Sequence, residues 1–167
     1  MIDASRDPIL TPRLELRRTR VEDAAAMFPA LRDPLIYLYV PRNAPANGAE
    51  LAQHFARVIQ ETAPNRLDQW LNWTVWLRDG GAGLGTIEAT VKPDQRVEIG
   101  YLFDPRVWRR GFAREAVSAM MEHLSQNGAG SFEAVIDIRN TASKALAASL
   151  GFARAETRGL DEHWRRA

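Results

Sequence analysis

The stretch VEIGYLFDPRVWRRGFAREAVSAMMEHL, residues 97–124, decides how the rest of the chain is read. Its first part alternates: Val97, Ile99, Tyr101 and Phe103 fall on one face of an extended segment, and Glu98, Gly100 and Leu102 on the other, which is the period of a β-strand. Asp104-Pro105 ends the pairing, because proline has no N–H to give to a ladder. After the basic loop from Arg106 to Ala113, apolar residues return at Ala113, Val117, Met120, Met121 and Leu124, the spacing of one helix face. Strand, glycine-containing basic turn and helix in this order can build an anion site. The first N–H groups of a helix lack intrahelical partners, and the macrodipole places partial positive charge at the same end. Gly111 lets backbone approach a ligand, and Arg106, Arg109, Arg110 and Arg114 supply charge that a diphosphate would neutralise. Taken alone, one glycine and several arginines also describe a solvated turn leading into an ordinary helix, so the flanking segments must decide.

The composition narrows the field. A chain of 167 residues with 46% hydrophobic and 26% charged residues suits one globular domain spanning 1–167. The net charge of +1 gives no general drive towards nucleic acid, so basicity matters only where it clusters. There is no cysteine, which excludes disulfides, a thiol nucleophile and cysteine-ligated zinc. His54, His123 and His163 are far apart in sequence, and no metal site is expected. The opening MIDASRDPIL lacks a basic-then-apolar export signature, and no apolar run approaches membrane-spanning length. These features predict a cytoplasmic protein with no membrane partner.

Outward from the central stretch, Leu14 and Leu16 alternate with Glu15 and Arg17 as a first strand. Thr19 and Glu22 stand at capping-box spacing before a short helix with Ala24, Met27, Phe28 and Leu31 on its buried stripe, stopped by Asp33-Pro34. Tyr37 and Tyr39, in the proline-punctuated loop that follows, either line an acceptor pocket or cover the core. Asn47 and Glu50 begin a second helix with a stripe of Leu51, Phe55, Val58 and Ile59, closed by Pro64-Asn65. Strands near Leu71 to Leu77 and Gly85 to Val91, and the strand holding Glu98, are joined by short turns and predict an antiparallel meander. Beyond the central helix, Phe132, Ala134, Ile136 and Ile138 form another strand, and Asn140 and Gly151 cap the helix after it. Ala153 to Arg158 reads as a strand, whereas GLDEHWRRA leaves little room for a last one. Either that strand is short, or the terminus is trimmed, or a partner subunit, as in a homodimer, completes the sheet.

The residues EIGY, a proline-ended strand, Trp108-x-x-Gly111-Phe112-Ala113 and a long amphipathic helix resemble motif A of the GNAT superfamily of acetyl-coenzyme A-dependent N-acyltransferases, written [QR]-x-x-G-x-[GA]. Gly111 and Ala113 match, and Trp108 departs from the Gln or Arg. The branch of ribosomal-protein N-terminal acetyltransferases commonly carries W-G-K-G-Y-A-x-E-A here, which Trp108, Arg110, Gly111, Phe112, Ala113, Glu115 and Ala116 fit, with Arg109 replacing a glycine. TPRLELRRTRVEDA resembles the opening of that branch. The run from Asp137 through Arg139, Asn140, Ser143, Leu146 and Leu150 to Gly151-Phe152 resembles its second half, where the Asn and Ser positions meet the pantetheine arm of the cofactor. The resemblance implies an α/β fold of mixed α+β layers, with a central mixed, mostly antiparallel sheet splayed between its fourth and fifth strands and helices on both faces. It implies acetyl-CoA as co-substrate, held by backbone at Tyr101, Leu102 and Phe103 and by Arg106, Arg109, Arg110, Gly111, Phe112, Ala113, Arg114, Asn140 and Ser143.

Acyl transfer to an amine needs a base for the ammonium, donors for the thioester oxygen and a proton for the departing thiolate. Glu98 is the first candidate base, by its place before the cofactor-binding backbone and by resemblance, and it also reads as a solvent-facing strand residue. Ser143 is the candidate proton donor by resemblance, or a helix-start residue; Glu162 is an alternative base; Tyr101 is an acid or a core residue. A direct, ternary-complex transfer is expected, since no cysteine can carry the acetyl group. Two other readings stand beside it: a non-catalytic CoA-binding regulatory module of the same fold, and a nucleotide-phosphate binder whose basic turn imitates the family. The acceptor is a peptide N-terminus if an open groove lies between the Tyr37 loop and the last strand, and a small amine if a closed pocket surrounds Trp73 and Trp76.

Overall fold

The alternating segments become eight strands of one sheet in a computed structural model that describes residue 2 and residues 7–167. The strands are β1 (Ile9–Leu10), β2 (Leu14–Arg18), β3 (Gln69–Leu77), β4 (Gly83–Val91), β5 (Arg96–Phe103), β6 (Ser131–Asp137), β7 (Ala153–Arg158) and β8 (Asp161–Arg166). The helices are α1 (Ala24–Leu31), α2 (Gly48–Val58), α3 (Phe112–Gln126) and α4 (Thr141–Ser149). The sheet order is β1-β2-β3-β4-β5-β6-β8-β7. All neighbours are antiparallel except β5 and β6, whose crossover is helix α3, as a parallel connection requires.

Period-2 alternation on β3 and β5 puts apolar residues on both faces, and each face is covered by helices. Leu14, Leu16, Leu71, Trp73, Val75, Ile87, Val97 and Ile99 pack with Val117, Met120, Met121 and Leu124 of α3, Ala147 of α4 and Leu150 at its C-terminal cap. On the opposite face Trp76 and Leu102 pack with Ala24, Met27 and Leu31 of α1 and Leu51 and Phe55 of α2. The expected architecture is therefore present, splay included: β4 and β5 share seven rungs, from Gly85–Phe103 to Val91–Val97, whereas β5 and β6 share three, from Arg96–Ser131 to Glu98–Glu133. Beyond Glu98 the two strands part.

Of the three alternatives for the last strand, the short one holds: β8 has six residues and inserts between β6 and β7, following the tight turn at Gly159 (φ +61°). Two local expectations need correction. Thr19 does not cap the first helix; the Asp23 carboxylate accepts from the Arg20 N–H at 3.1 Å instead, and Thr19 is buried. Helix α2 ends at Val58, well before Pro64-Asn65. Asn47 does cap it, accepting from the Glu50 N–H at 2.9 Å.

Candidate functional site

Where β6 leaves β5, one edge of β5 loses its partner. In an extended strand successive N–H and C=O groups point to alternate sides, so part of the backbone from Ile99 to Phe103, including that of Tyr101, Leu102 and Phe103, turns into the gap. The gap opens towards the start of α3, where the basic turn lies.

That turn is shaped by backbone conformation. Gly111 sits at the N-cap of α3 with φ +79°, and no side chain caps the helix, so the leading N–H groups around Phe112, Ala113 and Arg114 remain for a ligand. Arg109 also has a positive φ, +61°, which accounts for the glycine at this place in similar motifs. Trp108, the departure from the motif, donates its indole N–H to the Phe103 carbonyl at 2.8 Å and so ties the turn to the end of β5. Arg13 fixes the turn from the other side: it donates to Glu115 at 2.6 Å and to the Arg110 carbonyl at 3.0 Å, and lies 4.3 Å from the centre of the Phe112 ring. Thr11 donates to the same Glu115 at 2.6 Å. Sequence reasoning had no role for Arg13, because its partners lie about a hundred residues away.

The four arginines are not equivalent. Arg109 and Arg110 are exposed beside Gly111. Arg114 reaches the Ser149 carbonyl at 3.5 Å, which sets it at the junction of α3 and α4. Arg106 is committed elsewhere: it ion-pairs with Asp104 at 2.6 Å. Burial alone would raise the Asp104 carboxyl, but the hydrogen bonds from Arg106 outweigh it and hold the carboxyl below its usual range.

Across the gap, Asn140 caps α4 by accepting from the Ser143 N–H at 3.0 Å. The Tyr101 hydroxyl donates to the Ser143 carbonyl at 3.5 Å, so Tyr101 and Ser143 meet from β5 and α4. Burial raises the Tyr101 pKa, which keeps the phenol neutral at physiological pH. Glu162 lies apart from this pair, on β8. It is buried, accepts from the Trp164 indole at 3.1 Å and from Arg154 at 3.4 Å, and has Lys144 at 3.8 Å.

The opposite face of β4 and β5 carries the carboxylates. Glu98 is exposed on the last rung shared with β6. Glu88, which sequence reasoning passed over, is the cross-strand partner of Gly100 and shares the face of Glu98. A Cβ built on Gly100 would meet the Glu88 Oε1 at 2.5 Å and its Cγ at 2.8 Å, so Glu88 lies flat against the glycine. The usable signal was a glutamate alternating with apolar residues on one strand and a glycine on the next. Solvent still reaches Glu88, yet burial pushes its carboxyl up, with Arg42 opposing and Glu98 reinforcing the shift. Behind it is a cavity of about 10 Å³ lined by Thr19, Asn72, Thr86, Arg42, His54 and apolar side chains of α1 and α2. His54 and Arg42 are in hydrogen-bond contact through the imidazole Nε2. Burial, then Arg42 and Arg57, lower the His54 pKa to about 4, so its ring is neutral.

The aromatic candidates separate. Tyr37 is core, donating to the Leu31 carbonyl at 2.8 Å, whereas Tyr39 is exposed with Arg139 at 5.6 Å from its ring centre. Trp73 and Trp76 are buried on opposite faces of β3 and do not enclose a common pocket. Among the described residues, no group of three or more His, Cys, Asp or Glu side chains is arranged to hold a metal ion, and no helix is long and apolar enough to cross a membrane.

The sequence profile of the acetyltransferase (GNAT) domain matches residues 13–153. An uncharacterized N-acetyltransferase of Bacillus subtilis (strain 168), YoaA, is 33% identical over 152 residues, 87% of this chain and 82% of that protein. The uncharacterized N-acetyltransferase p20 of Bacillus licheniformis is 26% identical over the same shares. Among solved structures, a GNAT-family acetyltransferase from Bacillus anthracis superposes with a TM-score of 0.77 at 19% identity, covering 95% of this chain and 96% of that one. RimL, a ribosomal L7/L12 α-N-protein acetyltransferase in complex with coenzyme A, does so with a TM-score of 0.76 at 17% identity, covering 96% and 97%.

Proposed function

The chain belongs to the GNAT acetyltransferase family, and from that premise we propose that it transfers the acetyl group of acetyl-CoA directly to a primary amine, with a peptide or protein N-terminus as the favoured acceptor class. The observation that carries this reading is the gap between β5 and β6 beyond Glu98, opening onto an uncapped helix N-terminus with Gly111 in a left-handed conformation. Residues on both sides suit a long thioester with a diphosphate end. Arg109, Arg110, Arg114 and the amides at the start of α3 meet the diphosphate, Gly111 allows close approach, and the backbone from Tyr101 to Phe103 pairs with the pantetheine amides. Asn140 and Ser143 line the far side. Arg106 acts through Asp104, by holding the loop.

When bound, acetyl-CoA supplies an electrophilic carbonyl and a thiolate leaving group. The protein's work is to align the amine with that carbonyl and to move protons. The ammonium must first lose a proton to a carboxylate, directly or through a water, and the carboxylates stand on the α1/α2 face of β4 and β5. In this reading the Ser143 hydroxyl, which makes no hydrogen bond to a described residue, protonates the thiolate. With no cysteine in the chain, no cysteinyl thioester stands between donor and acceptor, and both substrates bind together. The peptide reading is supported by the exposed side chains of Leu38 and Tyr39, by the burial of Trp73 and Trp76 on opposite faces of the sheet, and by fold similarity to an enzyme whose name gives a protein N-terminus as its substrate.

The test is thiol release from acetyl-CoA in the presence of N-terminal peptides and of small primary amines, alongside calorimetry with acetyl-CoA. Turnover with at least one peptide, and its loss in Arg110→Glu, is the expected result. Heat of binding without turnover of any amine would make the protein a CoA-binding module instead, and ATP displacing CoA would make it a nucleotide binder.

A further inference from the structure

Which carboxylate receives the proton depends on where the gap is open. Glu98 stands on the last closed rung. The backbone free to hold a thioester carbonyl lies beyond it, from Ile99 onward, and the carboxylate lying against that backbone belongs to Glu88, through its packing on Gly100. Gly100 has a specific use here: any side chain would occupy the place of the Glu88 carboxylate. Glu88 makes no hydrogen bond or ion pair within 4 Å to a described residue, although Arg42 from the α1–α2 connection and His54 from α2 line the same cavity and Glu98 stands beside it on β5. β3 contributes only the neutral Asn72 opposite. A second observation points to a polar occupant: Thr19, 8% exposed, lines this cavity and its hydroxyl has no partner among the described residues. At about 10 Å³ the space suits one water.

Resting on the acetyl-transfer reading above, we propose that Glu88, rather than Glu98, takes the proton from the acceptor ammonium, and that the polar cavity behind it provides the water through which that proton leaves. The ammonium R–NH3+ enters over Gly100 and gives one proton to the Glu88 carboxylate. The freed nitrogen pair forms the N–C bond at the thioester carbonyl, the C–S bond breaks with its electron pair going to sulfur, and the thiolate takes up a proton as the nitrogen loses its second one. One proton is released overall, as R–NH3+ and a thioester become an amide and a thiol. Glu98, on β5 near Glu88 and, like it, open to solvent, contributes negative charge that attracts the ammonium. The raised carboxyl of Glu88 brings it closer to the basicity this step requires.

The experiment compares wild type, Glu88→Gln, Glu98→Gln and Gly100→Ala with a serine-initiated peptide and phenethylamine as acceptors, reading kcat, kcat/KM between about pH 5 and pH 9 and acetyl-CoA affinity by calorimetry. Glu88→Gln is expected to lose ~100-fold or more in kcat and to lose the acid limb of the profile, with acetyl-CoA affinity within about twofold of wild type. Glu98→Gln is expected to lose less than ~10-fold and to keep the limb. Gly100→Ala, which displaces the Glu88 carboxylate without removing its charge, should lower kcat by ~10-fold, and it decides the matter if Glu88→Gln fails to bind acetyl-CoA. Wild-type kcat and an intact acid limb in Glu88→Gln, or in Gly100→Ala if the first variant is misfolded, overturn the proposal. No turnover of either acceptor by wild type is a different failure, that of the acetyl-transfer reading itself.

Discussion

The two faces of the sheet are built for different work. The face under α3 and α4 is dry and continuous: Leu14, Trp73, Ile87, Val97 and Met120 are fully or almost fully buried in one cluster that runs from β2 to α4. The face under α1 and α2 has a smaller apolar cluster, interrupted by Thr19, Asn72, Thr86, Glu88, Arg42 and His54 around a cavity. Polar groups with few partners inside a core cost stability. The larger apolar cluster still carries most of the cohesion, although the Trp73 indole N–H and the His123 Nε2 buried on that side have no hydrogen-bond partner among the described residues, and the same side presents the start of α3, the proposed cofactor site. The difference teaches that the face proposed for the acceptor carries the smaller apolar cluster and so contributes less to cohesion.

The sharpest way to break that view is to cut the same residue type from each face. Trp73 is fully buried under α3 and Trp76 is 6% exposed under α1 and α2. Truncating a buried tryptophan to alanine costs about 3–5 kcal/mol. Trp73→Ala is expected at the top of that range and Trp76→Ala at the bottom or below it, in urea unfolding followed by circular dichroism. Equal losses would show that both faces carry the fold alike.

A second contrast lies within the turn proposed to bind the cofactor. Arg110→Glu, placing negative charge beside Gly111, is expected to weaken acetyl-CoA binding by ~10–100-fold, or about 1.4–2.7 kcal/mol. Arg106→Ala is expected to change affinity by less than ~3-fold, because that guanidinium is already paired with Asp104. Calorimetry on both variants checks this. An equal loss from Arg106→Ala would mean that the ion pair opens when the cofactor binds.

These contrasts also explain what could be read from the chain. The dry face was legible because its elements announce themselves locally: Val97, Ile99, Tyr101 and Phe103 alternate, and Val117, Met120, Met121 and Leu124 repeat at helical spacing. Asp104-Pro105 and Gly111 mark the turn between them, so the strand, turn and helix proposed to hold the cofactor followed from neighbouring residues. The face proposed for the acceptor depends on pairings across the chain. Glu88 matters only because β4 sets it opposite Gly100, and Arg13 only because β2 delivers it to Glu115. The commitment of Arg106 was hidden for a different reason: a loop arginine two residues after an aspartate reads equally as free charge or as half of an ion pair. β8 was underestimated because Asp161 to Arg166 has almost no apolar alternation, and its place depends on backbone pairing to both β6 and β7 together with burial of Glu162.

The smallest expected effect uses one histidine from each face. His54, on the polar face, has a pKa of about 4 against an ordinary 6.5, because of burial and then of Arg42 and Arg57. His123, on α3, is lowered as well, through burial and then Arg18. For a base whose folded pKa is depressed, the unfolded chain binds more protons between the two values, so stability is whole above pH 6.5 and is lost as pH falls through that window towards about 4. At pH 5 the full shift of His54 would amount to about 2 kcal/mol. Its ring is only partly buried, and screening reduces this to about 1 kcal/mol. His54→Gln should therefore lose less stability than wild type between pH 7 and about pH 5, by about 1 kcal/mol in urea midpoints, while His123→Gln stays closer to the wild-type slope. If His123→Gln flattens the profile more, the charge sensitivity lies on the dry face, and the division of labour between the two faces fails at the point where it should be easiest to measure.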